Sequence, residues 1–180
     1  MKTRAIALAS LNELQEIVET VEETELEQMQ ELILNSNRIF VGAAGRSLLA
    51  MKFLAMRLMQ IGLKVYLVGE VCTPSIREGD LLLVGSGSGE TAGMIAICKK
   101  AKAAGAEVAA FTKNRNSTIA SIAKVAGPDG WIEGNYFSIR PSGNPFEQSI
   151  VIVGDAMVCE LMQKTNCGTA KIAYNHANLE

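Results

Sequence analysis

The stretch that decides the fold is DLLLVGSGSGETAGMIAICKKAKAA, residues 80–104. Its run Leu81–Val84 is apolar at every residue, which is typical of a strand covered on both faces of a parallel sheet. Residues 85–91, here called the Gly-Ser loop, hold three glycines, two serines and a threonine, and a helical stretch begins directly after them. A strand, a glycine-rich turn and a helix in this order predict half of a βαβ unit.

The same alternation of apolar run, turn and helical stretch holds from residue 38 onward. Apolar runs predict strands at 38–41, 64–68, 80–85 and 107–112, with a weak fifth at 124–126. Strands that alternate with helices predict an α/β fold, with a five-stranded parallel sheet sandwiched by helices in a flavodoxin-like, three-layer arrangement. Ligands bind beyond the carboxyl ends of such strands, so we expect the site at loops 42–47, 69–75 and 85–91.

Residues 1–36 are predicted to form an N-terminal helical arm. The first helix, over residues 3 to about 22, carries a narrow apolar seam at steps of three and four residues: Leu11, Leu14, Val18 and Val21. A second helix is expected to start at Thr24, which fits a capping box with Glu27. We expect a single domain over 1–180, whose arm packs on the core of residues 37–180 or, preferably, on another subunit.

Composition narrows the classes of function. The net charge of -2 and the scattered Lys and Arg residues give no basic face for nucleic acid or an anionic membrane. The four cysteines stand far apart and are expected to be reduced, mostly buried thiols. The single histidine, His176, gives no spacing typical of a metal site. No segment has the apolar length of a membrane span, so we expect a cytoplasmic protein.

The composition of the Gly-Ser loop predicts an anion site. Gly87 and Gly89 allow backbone N–H groups to approach an anion, and the N-terminus of the following helix favours negative charge. Ser86, Ser88 and Thr91 add hydroxyl donors, so the loop suits a phosphomonoester. The alternative is that Ser88 only caps the helix, but three hydroxyls among three glycines exceed what capping requires.

Nucleotide binding is a competing interpretation of the same loop. Residues 87–92 satisfy the dinucleotide pattern G-x-G-x-x-A. The next strand, however, ends in Thr-Lys-Asn at 112–114, where an NAD enzyme has an acidic residue. Lys113 and Arg115 leave an NADP enzyme as a minor alternative. No G-K-[ST] follows the glycines, which excludes a Walker motif.

The Gly-Ser loop after a parallel strand resembles that of the sugar isomerase (SIS) domain family. Further segments resemble one isomerase branch of that family: Gly45–Ser47, Ala55–Met59, Gly69–Glu70, Pro141–Gln148 and His176–Glu180. The loop is common to many SIS proteins, whereas Phe-Glu-Gln at 146–148 and the ending His-Ala-Asn-Leu-Glu are specific to the branch. Two segments depart from the family pattern. The first loop reads GAAGRSL at 42–48 where the family has Gly-Ala-Gly-Arg-Ser-Gly, and the stretch 127–140 also differs from the family.

The resemblance implies an enzyme that interconverts D-arabino-hex-3-ulose 6-phosphate and fructose 6-phosphate. It implies no cofactor, a homotetramer with sites near subunit interfaces, and a functional partner, the 3-hexulose-6-phosphate synthase that adds formaldehyde to ribulose 5-phosphate. This ribulose monophosphate pathway fixes formaldehyde or, in reverse, makes pentoses. The alternatives are another SIS aldose–ketose isomerase and a sugar-phosphate sensor, because SIS domains also occur in regulators that bind a ligand without converting it.

Moving a carbonyl between carbons 3 and 2 through an enediolate requires a base. The candidate is Glu147, because SIS isomerases carry a glutamate base near the start of a late helix. Alternatively, residues 144–147 read as N-cap to N3, which makes Glu147 a capping-box residue. Glu90 is the reserve base, although a carboxylate beside a phosphate favours a capping or solvent role. Trp131 and Tyr136, in the linker 127–140, are expected to border the sugar.

The remaining site predictions concern the first loop and the tail. Gly45, Arg46 and Ser47 are expected to bind phosphate or sugar oxygens, although Arg46 also suits an ion pair at the sheet edge. Related SIS enzymes place a histidine from a neighbouring subunit in the active site, which gives His176 a catalytic role. Its alternative is an exposed, idle side chain near a terminus. Arg57 is expected to pair with a neighbouring acid.

Overall fold

The computed structural model describes residues 2–127 and 144–179. Its elements in chain order are α1 (Thr3–Val18), α2 (Glu23–Asn35), β1 (Ile39–Ala43), α3 (Gly45–Gln60), β2 (Val65–Leu67), β3 (Leu81–Gly85), α4 (Ala92–Ala103), β4 (Glu107–Phe111), α5 (Thr118–Ile122), β5 (Val125–Ala126), α6 (Asn144–Lys164) and α7 (Thr169–Tyr174). Each of the five strands lies within two residues of its predicted position.

The strands form one parallel sheet in the order β2-β1-β3-β4-β5. This confirms the predicted five-stranded parallel sheet. The chain moves from β1 to one side of the sheet for β2 and to the other side for β3, so the strand order reverses between β1 and β3. The register pairs Ala43 with Gly85, the last residues of these two strands. The loops that leave them therefore flank one crevice, which is where ligands bind in such sheets.

Two apolar clusters cover the two faces of the sheet, as the period of two along a strand requires. In β3, Leu81 and Leu83 face the cluster that contains residues of α2, α3 and α6. Leu82 and Val84 face the second cluster, to which α4 and α5 contribute Cys98 and other residues. The uninterrupted apolar run of this strand thus reflects helices on both faces.

The first helix of the arm is shorter than predicted, and it packs partly on its own chain. Helix α1 ends at Val18 rather than near residue 22. Leu14 and Ile17 are buried in the contact between α1 and α6, whereas Leu8 and Leu11 are 57% and 60% exposed. The second half of α1 is therefore bound to the core, and its first half presents apolar side chains to solvent.

The predicted cap of α2 is wrong. The helix begins at Glu23, after an N-cap at Glu22 that makes no side-chain capping bond. Thr24 is already the second helical residue, where its hydroxyl cannot take the N-cap role. Met29 and Ile33 of this helix are fully buried in the core cluster, so α2 packs as part of the domain core.

The cysteines are free thiols, but only half of them are buried. Cys98 and Cys167 are buried, whereas Cys72 and Cys159 are exposed, so the expectation of mostly buried thiols was too strong. Burial raises the pKa of the Cys98 thiol to about 11, which keeps it protonated and unreactive. No helix in the described parts of the chain is long and apolar enough to cross a membrane.

Candidate active site

The hydroxyls of the Gly-Ser loop face one another across its ends. The Oγ of Ser86 and the Oγ1 of Thr91 lie 3.1 Å apart. Thr91 is the N-cap of α4 and makes no side-chain capping bond, so its hydroxyl bonds to Ser86, and one hydroxyl of this pair keeps its proton for a ligand. The N–H groups of the first turn of α4 have no acceptor within the helix. Hydroxyl and N–H donors thus converge at a helix N-terminus, where an anion is favoured.

The capping interpretation of Ser88 is wrong for helix α4. The Ser88 hydroxyl accepts a hydrogen bond from the backbone N–H of Glu90 at 3.2 Å, which stabilises the turn inside the loop and not the helix. Within residues 2–127 and 144–179, the backbone N–H groups of Gly87, Ser88 and Thr91 have no acceptor. The Gly-Ser loop therefore exposes several N–H donors that a bound phosphate can satisfy.

The Gly-Ser loop packs against the segment that follows β4. Gly89 has a φ of +66°, and a Cβ at this position would lie 1.9 Å from the Oγ of Ser117. The side-chain amide of Asn114 donates to the carbonyl oxygen of Ser88 at 3.2 Å. Sequence reasoning missed Asn114 and Ser117. Their position just beyond the carboxyl end of the strand next to β3 was the available signal.

Glu90 has a structural partner. Its Oε1 accepts a hydrogen bond from the backbone N–H of Thr118 at 2.7 Å, at the start of α5. The carboxylate therefore joins the Gly-Ser loop to the next helix, as the capping alternative predicted. Arg115, one of the two cations considered for a 2′-phosphate in the NADP alternative, forms an ion pair with Glu25 of α2. Arg57 pairs with Asp155, as expected.

The first turn of α3 forms the opposite wall of the crevice. Gly45 begins the helix with a φ of +57°, a conformation that residues with a Cβ rarely adopt. This turn directs Arg46 and Ser47 toward the N-terminus of α6. The side chain of Arg46 is 56% exposed, so its guanidinium lies at the solvent side of the crevice.

Glu147 lies in the first turn of α6 and is held by this wall. Its Oε2 accepts from the Nε of Arg46 at 3.1 Å, and its Oε1 accepts from the Ser47 hydroxyl at 3.4 Å. Only 11% of the Glu147 side chain is exposed. Both carboxylate oxygens are therefore oriented by α3, in a partly desolvated position beside the crevice. A carboxylate held in this way can accept a proton from a bound substrate.

Phe146 connects α6 to the Gly-Ser loop. A Cβ built on Gly87 would lie 3.2, 3.3 and 3.4 Å from three atoms of the Phe146 ring. The ring is 2% exposed and belongs to the main core cluster. The absence of a side chain at Gly87 thus allows the loop backbone to lie against the ring. Sequence reasoning assigned Phe146 only as part of a motif and did not find this contact.

His176 does not reach Glu147 within one chain. The side chain of its neighbour Asn175 donates to the carbonyl oxygen of Gln60 at 2.9 Å. Gln60 ends α3, and Arg46 lies near its beginning, so the two ends of the helix are about 21 Å apart. His176 is exposed, and its Nδ1 lies 2.9 Å from the carbonyl oxygen of Ala177.

Several predicted features lie outside the described residues. They include Trp131, Tyr136, the linker from 128 onward and the last residue of the tail, and the side chain of Asn144 belongs with them. Over residues 2–127 and 144–179, no group of three or more His, Cys, Asp or Glu side chains is placed to hold a metal ion.

Comparison with known proteins gives the family. The model of the SIS domain family matches residues 32–126, more than half of the chain. A protein from Bacillus subtilis (strain 168), the 3-hexulose-6-phosphate isomerase, is 40% identical over 185 aligned positions that span 100% of both chains. The chain belongs to the SIS domain family. The isomerase relative also confirms the branch that the Phe-Glu-Gln segment and the tail indicate.

Two further matches agree with this assignment of the SIS domain. The 3-hexulose-6-phosphate isomerase of Mycobacterium gastri is 38% identical and aligns with 92% of this chain and 86% of its own. A crystal structure from Methanococcus jannaschii, for which 3-hexulose-6-phosphate isomerase function was inferred, superposes with a TM-score of 0.79. It is 29% identical and covers 100% of both chains.

Proposed function

We propose that this protein interconverts D-arabino-hex-3-ulose 6-phosphate and fructose 6-phosphate. One observation carries the proposal: the Glu147 carboxylate is held by hydrogen bonds from Arg46 and Ser47, and α6 lies against a loop whose N–H groups at 87, 88 and 91 have no acceptor among the described residues. A base next to a phosphate site is the arrangement that an isomerase of phosphorylated sugars requires. The names of the relatives support this choice of substrates.

The substrate phosphate is proposed to bind at the Gly-Ser loop. Its donors are the hydroxyls of Ser86, Ser88 and Thr91 and the backbone of Gly87 and Gly89, assisted by the N-terminus of α4. On the other side of the crevice, Gly45, Arg46 and Ser47 bind the sugar. The Nε of Arg46 is engaged with Glu147, which leaves its terminal N–H groups for sugar oxygens.

The chemistry follows from one base. With fructose 6-phosphate, Glu147 takes the proton from C3, the C–H electron pair forms a C2=C3 double bond, and the carbonyl pair moves to the oxygen on C2. A proton then passes from the oxygen on C3 to the oxygen on C2, and Glu147 returns its proton to C2. The product is the 3-ulose. The carbonyl moves by one carbon, and no electrons enter or leave the substrate.

The second catalytic residue, His176, is proposed to act in the site of another copy. The bond of Asn175 to Gln60, at the far end of α3 from Arg46, supports this arrangement, because it holds the tail of the same chain away from the crevice. The exposed apolar residues Leu49, Phe53 and Met56 on α3, next to Arg46, support a subunit contact at this place. We propose a homotetramer whose sites lie near the subunit interfaces.

The cellular role is also proposed. A single domain over residues 1–180, with the arm 1–36 and the core 37–180, works in the cytoplasm. It follows 3-hexulose-6-phosphate synthase in the ribulose monophosphate pathway, for formaldehyde fixation or for pentose synthesis. The names of the relatives support this pathway, because they give 3-hexulose 6-phosphate as the compound that is isomerised.

The test is to incubate the pure protein with fructose 6-phosphate and to measure the 3-ulose. We expect its formation without any added cofactor. A protein that binds fructose 6-phosphate but forms no 3-ulose is a sensor, the main alternative. Formation of glucose 6-phosphate in place of the 3-ulose indicates a different SIS isomerase.

A further inference from the structure

The first turn of α6 joins the two walls of the crevice. Phe146 contacts the Gly-Ser loop at Gly87, and the next residue, Glu147, is held by Arg46 and Ser47 at the start of α3. Consecutive residues of a helix point about 100° apart, so neighbouring side chains reach different walls. The position of the proposed base relative to the proposed phosphate site thus depends on two adjacent residues.

The distance between phosphate and base decides which proton is removed. Fructose 6-phosphate has a carbonyl at C2 and therefore acidic protons on both C1 and C3. Loss of the C3 proton leads to the 3-ulose, whereas loss of the C1 proton leads to glucose 6-phosphate and mannose 6-phosphate. C1 and C3 lie on either side of C2, so two C–C bonds of about 1.5 Å each place them about 2.5 Å apart. With the phosphate fixed at the loop, a shift of the carboxylate along the sugar by part of this distance changes which of the two protons lies closer to the base.

Phe146 has the properties of a spacer between loop and base. Its ring is rigid, almost fully buried, and packed so closely on Gly87 that a Cβ there would displace the ring by a few tenths of an ångström. Close-packed side chains transmit displacements to their neighbours. A smaller side chain at 146 allows the loop to approach α6, and a larger one at 87 pushes them apart. Either change alters the distance from the Gly-Ser loop to the Glu147 carboxylate.

We propose that Phe146 is a positioning residue that sets the distance between the Gly-Ser loop and Glu147 and thereby selects the C3 proton of fructose 6-phosphate over the C1 proton. This inference rests on the proposed function, in which the loop binds phosphate and Glu147 is the base. According to this inference, the Phe146 contact decides whether the protein moves the carbonyl between C2 and C3 or acts as an aldose–ketose isomerase.

The test compares Phe146→Leu with a control substitution in the same helix and core cluster. Ile150 is fully buried and lies one turn further along α6, about 6 Å from Phe146 along the axis and away from the crevice. Ile150→Val therefore reports a general loss of packing. Each protein is incubated with fructose 6-phosphate in deuterated water. Proton NMR follows exchange at C1 and at C3, and a dehydrogenase-coupled assay detects glucose 6-phosphate.

The wild type is expected to exchange the C3 proton and to leave C1 unexchanged within the assay. In Phe146→Leu, the ratio of C3 to C1 exchange is expected to fall at least tenfold, with the KM for fructose 6-phosphate changed less than threefold. A hundredfold loss of C3 exchange with unchanged affinity also supports the positioning role, because a base displaced by about 1 Å loses about this much rate. Ile150→Val is expected to keep the wild-type ratio.

Three results overturn the inference. In the first, a folded Phe146→Leu protein keeps the wild-type ratio and rate. In the second, its affinity and its exchange rate fall by the same factor. In the third, Ile150→Val changes the exchange ratio as much as Phe146→Leu does. If Phe146→Leu does not fold, Gly87→Ala tests the same contact from the loop side, and an unchanged ratio there overturns the inference as well. A wild type that exchanges neither proton refutes the proposed function itself, which separates the two failures.

Discussion

Replacing Gly89 with Ala tests how the Gly-Ser loop is built. Gly89 has a φ of +66°, which costs a residue with a Cβ about 1–2 kcal/mol. The new Cβ would lie 1.9 Å from the Oγ and 2.3 Å from the Cβ of Ser117, so Ser117 must move. Its Oγ accepts from the N–H of Ala120 as the N-cap of α5, and loss of such a cap costs about 0.5–2 kcal/mol.

The two terms together predict a loss of about 1.5–4 kcal/mol in the free energy of unfolding. For a chain of 180 residues this lowers the melting temperature by roughly 3–16 °C. The assay is urea unfolding of both proteins, followed by melting with and without inorganic phosphate. Phosphate is expected to raise the melting temperature of the wild type, because it binds the folded state, and to raise that of the variant less.

Gly93→Ala provides the matched control for stability. Gly93 lies in α4, and a Cβ at this position meets nothing within 4 Å. Ala in a helix is favoured over Gly by about 0.5–1 kcal/mol, so the free energy of unfolding of this variant is expected to equal or slightly exceed that of the wild type. The reasoning is refuted if Gly89→Ala unfolds within about 0.5 kcal/mol of the wild type, since neither the strain nor the displaced cap would then exist.

Two further predictions concern the phosphate site and the ion pair between Arg38 and Asp80, which precede β1 and β3. Thr91→Val is expected to weaken substrate affinity by about 1.5–3 kcal/mol through one lost charge-assisted hydrogen bond, and titration calorimetry with unchanged affinity would contradict the site. Burial raises the pKa of the Asp80 carboxyl, but hydrogen bonds from Arg38 and the Arg77 backbone outweigh it, so the pKa lies below its ordinary value of 3.8. A lowered folded-state pKa gives stability that is present above the unfolded-state value and is lost as the pH falls through the folded-state value. Asp80→Asn is therefore expected to be destabilised by about 1–3 kcal/mol at pH 7, with the difference from wild type shrinking below about pH 4 in urea unfolding, and a difference independent of pH would refute the role of the pair.

The sheet could be predicted from the sequence because each strand is signalled locally. Runs such as Leu81–Val84 have no polar residue, which requires cover on both faces, and the turn after β3 is marked by three glycines. The helix starts were less predictable, since Thr24 has a suitable side chain for an N-cap but the helix begins before it. Local propensity cannot tell which of several polar residues the tertiary contacts leave outside the helix.

The candidate site was predictable in its residue types and not in its contacts. The pattern predicts the Gly-Ser loop, because glycines and hydroxyls before a helix are typical of an anion site. The resemblance to SIS isomerases predicts Glu147. The bonds from Arg46 and Ser47 to Glu147 join residues about 100 positions apart, and no local pattern encodes them. The contact of Phe146 with Gly87 is of the same kind. Such pairs arise only when the fold brings α6 across the crevice.

The most direct test of the account is the turnover of Glu147→Gln. Gln keeps the shape of the side chain and an oxygen that can accept from Arg46, but it removes the basicity that proton abstraction requires. With fructose 6-phosphate as substrate, the variant is expected to melt near the wild-type temperature, to bind the sugar with similar affinity, and to lose turnover by about two orders of magnitude or more. Exchange of the C3 proton with deuterated water is expected to disappear with it. Turnover and exchange near the wild-type rates, together with a lowered melting temperature for Glu147→Ala, would contradict the account and leave Glu147 as a residue that only stabilises its helix.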